Sequence, residues 1–314
     1  MWTLETFSLT ERLKTRMNLN FSEVLIVIKR NKVRECNKND YMTFPRQFET
    51  YKWYKPIFVL LLACLFVGIF FVGIALLYIL LSGEKDFSNA NYYGYGALIS
   101  VGITATILPA VAIASKIVKD RPFSSYSSSR GGWNWKIFFK CLLVAIPIIA
   151  LYYAVLLISS DIAVTHVIEF TVFGFFATLI ITPIQCISEE YLFRGLLSQT
   201  IASWTKSSII GVIFSSLIFM LMHPQKNGLG LLATLICGIS FAIIVWKTKG
   251  LEATGAMHTV INLSCFILGG FGIVSNTNQM SEITMLAETM IYVLYLIVIV
   301  FVADRKLKWF ELNK

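Results

Sequence analysis

The chain has 314 residues, 56% of them hydrophobic and only 14% charged, with a net charge of +9. Soluble domains carry about 25% charged residues, so this composition excludes a soluble globular protein and identifies a membrane protein. The basic excess sits in polar loops beside apolar runs, which is the pattern of membrane topology and not of a nucleic-acid-binding surface.

Residues 1–56 are polar, with 11 Lys/Arg against 6 Asp/Glu, and show neither the early apolar run nor the small-residue cleavage site of a signal peptide. They are expected to form an N-terminal cytoplasmic region. A membrane-spanning helix needs about 20 mostly apolar residues. Eight candidate stretches follow: 57–81, 97–117, 137–159, 167–187, 208–224, 229–246, 254–272 and 283–303. The first two and the Ser/Gly-rich loop 118–136, with its interfacial Trp133 and Trp135, form a unit over 57–136. The core is expected over 137–303 and a cytoplasmic tail over 304–314. The fold class that follows is all-α: a polytopic membrane helical bundle of about eight transmembrane helices. Cys36, Cys64, Cys141, Cys186, Cys237 and Cys265 stand singly, so buried structural thiols are expected and not a disulfide framework or zinc ribbon.

An even number of spans puts both termini on one side. With both in the cytoplasm, the loops on the opposite side hold only Lys85 and Lys226 of the 27 Lys/Arg, and the loops 160–166 and 273–282 hold none. The positive-inside rule therefore predicts N- and C-termini in the cytoplasm of a multi-pass cell-membrane protein.

The fourth stretch ends in charge: Glu189, Glu190 and Arg194 stand within one apolar run. A charge near the bilayer centre costs roughly 2.5–3.5 kcal/mol, so three together must be paired, solvated or used. Glu190 and Arg194 are four residues apart and share a helical face, which predicts an ion pair. Glu189 is rotated by about 100° from Glu190 and is left as the available carboxylate. Two further groups lie in later spans. Phe219 and His223 share one face, as do His258 and Asn262. Intramembrane ionisable residues are functional candidates by default, and this set suits hydrolysis by activated water with a His or Asn oxyanion donor. The remaining histidine, His166, falls in a predicted loop and reads as a surface residue. A Cys186 nucleophile is a minor alternative, because thiols in apolar spans are usually unreactive.

Glu189-Glu190-x-x-x-Arg194, Phe219-x-x-x-His223 and His258-x-x-x-Asn262, in that order on successive spans, resemble the CPBP family. These are the CAAX prenyl endopeptidases and the bacteriocin-processing or self-immunity proteins, also called Abi. The likeness covers roughly residues 137–303. It implies an intramembrane endopeptidase in which Glu189 and His223 activate water, His258 and Asn262 stabilise the tetrahedral intermediate, and Glu190 and Arg194 support the site. It implies as partners a membrane-embedded or lipid-modified peptide or protein and the bilayer, and no nucleic acid. No cofactor is required. Two Glu and two His are zinc-ligand types and family members are commonly called metalloproteases, so a divalent metal such as zinc stays open, but no His-Glu-x-x-His spacing demands one.

Each motif also has a bland reading: an acidic helix start after Pro183, an interfacial helix end at His223-Pro224, and interhelical hydrogen bonding by His258 and Asn262. Jointly they give a second function class, a non-enzymatic membrane regulator or self-immunity scaffold. A proton-coupled transporter is a third, weakened by the lack of a repeated half. Plain up-and-down topology leaves His223 at the far end of its span from Glu189. The site therefore requires the fourth helix to run deeper, over about 174–200, with a kink at Pro183.

Overall fold

The first long helix, α1 (Lys55–Ser82), is apolar all round and buries only Pro56, Val59, Ala63 and Tyr78. A helix with that surface has lipid for its natural surroundings. Pro56 in its first turn costs little, because the N–H it lacks would have no helical partner. Gly83 ends the helix at φ 76° and donates to the Ile79 carbonyl, a left-handed cap that suits glycine. The computed structural model describes residues 40–88, 90–165, 167–223, 227–275 and 280–311. His166, Cys36, Pro224 and Lys226 lie outside the described residues.

Seven more long helices follow among the described residues. They are α2 (Leu98–Val118), α3 (Trp135–Ile158), α4 (Val172–Thr205), α5 (Ser208–Met222), α6 (Gly228–Thr248), α7 (Glu252–Gly270) and α8 (Glu282–Asp304). Most starts carry a side-chain oxygen where the first N–H groups lack partners. Asn134 caps α3, Thr171 α4, Ser207 α5, Asn227 α6 and Ser281 α8. All eight predicted stretches are helical, and among the described residues α1 to α4, α6 and α8 are the helices long and apolar enough to cross a membrane. Six of the eight predicted spans thus have the length and composition to cross a membrane, within the polytopic helical bundle that was expected. At 15 residues, α5 rises about 22 Å against a hydrocarbon core of about 30 Å. Helix α7 is too polar, and its first eight residues, Glu252–Thr259, are all buried. Protein and not lipid surrounds it, so it needs no apolar surface.

The fourth helix also departs from its predicted bounds. It continues past 187 to Thr205, helical through Pro183, with a π-helical stretch at Tyr191–Ser198. Charged residues need not end a helix when they are buried against partners, and Glu190 and Arg194 are almost wholly buried. Helix α7 packs between α3 and α4, α6 packs on α5 and α8, and α2 lies between α1 and α4. Two three-residue strands, β1 (Ile162–Val164) and β2 (Ile273–Ser275), pair antiparallel with Ala163 opposite Val274. They tie the α3–α4 connection to the α7–α8 connection within an otherwise helical fold.

At the other end of α4, residues 120–130 are bound to its π-helical stretch. Wide π turns break the regular i→i−4 ladder, and here two carbonyls accept from outside the helix. Arg121 Nη2 donates to the Gly195 carbonyl (3.2 Å) and the Tyr41 hydroxyl lies 3.5 Å from that of Arg194. The Tyr41 hydroxyl also donates to the Tyr126 carbonyl (2.6 Å). Tyr126 donates in turn to Asp120 at 2.8 Å and carries the Arg121 guanidinium over its ring at 3.8 Å. Burial pushes the Tyr126 hydroxyl well above the ordinary tyrosine range, so it remains a donor. Cys141, Cys186 and Cys237 are buried thiols, whereas Cys64 and Cys265 are exposed, which corrects the expectation for those two.

Candidate active site

The polar residues singled out in the sequence come from three helices and meet at one place. Glu189 on α4 is buried among them. Its Oε2 lies 3.7 Å from Nε2 of His223, at the end of α5, and 3.7 Å from Nε2 of His258 on α7. This buried oxygen has no hydrogen-bond partner. The plain topology put His223 out of reach. The length of α4 and the shortness of α5 remove the discrepancy.

Each imidazole is oriented through its other nitrogen. His223 Nδ1 lies 2.7 Å from the Phe219 carbonyl one turn earlier on the same helix. A carbonyl can only accept, so Nδ1 carries a proton, and Nε2 is the nitrogen turned toward Glu189. His258 Nδ1 donates to Glu190 Oε1 at 3.1 Å. The same oxygen accepts from Arg194 Nη1 at 2.9 Å. Glu189 and Glu190 thus meet the two nitrogens of one ring. Their different directions along α4 do not separate them, because His258 spans the gap.

Arg194 is 1% exposed, and its charge is met on every side. Besides Glu190 it donates to the Gly238 carbonyl at 3.4 Å, and its guanidinium lies over the Phe219 ring at 4.3 Å. Phe219 also stacks against His223, with ring centroids 4.2 Å apart. The pattern Phe219-x-x-x-His223 therefore has a physical content: the Phe219 ring supports the imidazole and covers the arginine, and its backbone carbonyl holds His223 Nδ1.

Sequence reasoning missed two side chains. Gln185 donates through Nε2 to Glu189 Oε1, and its own Oε1 accepts from Asn262 Nδ2 at 3.4 Å. It links the first motif to the third. The signal was present, since Gln185 stands one turn before Glu189 in an apolar run. Glu288 on α8 is the other. It shares with His223, His258 and Asn262 the wall of a cavity of about 280 Å³. Cys186 lies beside the site, buried, with its thiol directed to Gln185 Oε1 and the His258 carbonyl. Among the described residues no three His, Cys, Asp or Glu side chains are gathered closely enough to hold a metal ion.

The arrangement offers a carboxylate oxygen and an imidazole nitrogen 3.7 Å apart beside a cavity, with further polar groups on the same wall. That is a site for taking a proton from water. A family model described as type II CAAX prenyl endopeptidase Rce1-like matches residues 171–264, which contain all three motifs. An uncharacterized protein of Bacillus subtilis, YyaK, is 26% identical over 167 residues, covering 50% of this chain and 55% of YyaK. The chain thus aligns with little more than half the length of that relative. No solved structure matches the chain. The segment from Thr171 to Ser264, which carries Glu189, His223 and His258 in this helical protein, is similar to the Rce1-like family of type II CAAX prenyl endopeptidases.

Proposed function

We propose that the protein is an intramembrane endopeptidase that hydrolyses a peptide bond in a membrane-embedded or lipid-modified peptide or protein. The observation that carries this reading is the convergence of two imidazole nitrogens on one unpartnered oxygen of Glu189. A water held against Glu189 Oε2 and His223 Nε2 loses its proton to this pair as its oxygen attacks the scissile carbonyl. His258 and the second N–H of Asn262, the one not given to Gln185, donate to the oxyanion. The proton then passes to the leaving amine as the carbon–nitrogen bond breaks. Glu190 and Arg194 act through His258, holding its ring in place. The basic loops favour a cell-membrane protein with both termini and the substrate entrance on the cytoplasmic side.

The test is cleavage of a panel of membrane peptides by the purified, detergent-stable protein, followed by mass spectrometry. Glu189→Ala, His223→Ala and His258→Ala are expected to abolish cleavage, with loss of about 10²–10⁴-fold, the usual worth of general acid–base groups. Cleavage unchanged in Glu189→Ala, or absent from the wild type, moves the weight to a non-enzymatic regulator or self-immunity scaffold built from the same polar contacts.

A further inference from the structure

Glu288 has no role in the chemistry above, yet it stands on the wall of the same cavity as His223, His258 and Asn262. It is half-buried on α8, the helix that packs against α3 and α6. The Tyr152 hydroxyl of α3 donates to Glu288 Oε1 at 3.3 Å. No lysine or arginine is found among the described residues that line the cavity. A carboxylate inside an apolar bundle calls for a cation or for water, and this protein brings it the hydroxyls of Tyr152 and Tyr292. The cavity, at about 280 Å³, has room for roughly nine waters, which is space for a side chain and not for a folded segment. A free carboxylate of a substrate placed there meets a like charge with no lysine or arginine to offset it, the basic groups on the wall being the imidazoles of His223 and His258. A positively charged group meets an opposite charge and a tyrosine hydroxyl.

We infer that Glu288 is a specificity-determining residue: the cavity beside the site takes a positively charged side chain of the substrate, lysine or arginine, and rejects an acidic one or a free terminal carboxylate there. The inference rests on the endopeptidase reading for its consequence in cleavage, but the recognition can be measured without it. Truncating one partner of a buried charge pair weakens binding by about tenfold or more.

The experiment uses the full chain in detergent and one membrane peptide prepared with lysine, glutamine or glutamate on either side of the bond that is cut, with free and amidated carboxyl ends. Cleavage is read as kcat/KM by mass spectrometry, and binding is read by calorimetry on Glu189→Gln protein. Wild type is expected to prefer the lysine peptide over the glutamate peptide at least tenfold in both readings. Glu288→Gln should remove that preference, Glu288→Lys should reverse it, and Tyr152→Phe should keep its direction. Selective binding without cleavage sinks the endopeptidase reading and leaves the charge recognition standing. Cleavage with no charge preference, or a preference unchanged in both Glu288 variants, overturns the inference and leaves the endopeptidase standing. Each variant is accepted only with a thermal midpoint near that of the wild type. Should Glu288→Gln miss that mark, Tyr152→Phe decides, since loss of all binding with only the hydroxyl removed also overturns it.

Discussion

Gln185 donates a hydrogen bond to Glu189 from one turn earlier on α4. That contact leaves Glu189 with one oxygen engaged and the other facing two imidazoles. A side chain so placed orients a carboxylate without touching the substrate. Gln185→Leu is expected to lower kcat by about 10–100-fold while KM changes little, because the lost interaction serves the reacting geometry. Steady-state kinetics separate this from a folding defect, which lowers the active fraction and leaves the pH profile of the surviving molecules unchanged. A reduced kcat with a shifted profile is the expected result.

The Glu190–Arg194 pair supports a stability prediction. Both side chains are almost wholly buried. Arg194→Met leaves Glu190 with His258 as its sole ionisable partner and should cost about 3–5 kcal/mol, the usual penalty for orphaning a buried charge. Thermal unfolding in detergent would record it as a lower midpoint. Joint replacement, Glu190→Met with Arg194→Met, should recover part of that loss, since no charge is left unpaired. A double variant that unfolds below Arg194→Met alone would count against the pairing account.

Gly195 follows Arg194 in the first motif for a reason of space. A Cβ there would stand 2.8 Å from the Tyr126 carbonyl oxygen. Gly195→Ala should therefore push residues 122–127 away from α4 and cost about 1–3 kcal/mol, as overpacking does. Faster proteolysis of the 118–134 segment is the measurement, with Gly68→Ala as a control for a helical glycine whose Cβ would meet nothing nearby.

The same segment is fixed to α7 by a second contact. Arg130 Nη2 lies 2.6 Å from Glu252 Oε2, and Glu252 Oε1 accepts from the Asn134 N–H at 3.1 Å. Glu252 stands two turns before His258 on α7. Arg130→Ala should speed amide hydrogen exchange at residues 128–134 and at the first turn of α7. Exchange unchanged at both would show that Arg130 does not hold that turn.

The motif pattern was legible where the physics is local. The i, i+4 spacing of Glu190 and Arg194 predicted a contact now seen at 2.9 Å. Apolar run length predicted eight helices, and all eight are present. It did not anticipate that α5, at 15 residues, is short for a span or that the first eight residues of α7 are buried, because run length records neither rise nor surroundings. The apolar run by itself ended the fourth helix at 187, while convergence with His223 required the deeper course over about 174–200, which the structure carries to Thr205. Gln185 and Glu288 were passed over because single polar residues in apolar runs acquire meaning only from what faces them.

By itself, the sequence determined that this is a helical membrane protein and which polar residues stand on which helix faces. Both follow from composition and the 3.6-residue period, which act within a segment. Only the tertiary structure decided that Glu189, His223 and His258 converge within 3.7 Å and that Glu288 shares their cavity. Depth and rotation of packed helices set those distances. They depend on how side chains from distant segments fill one another's gaps, which no spacing along a single helix records.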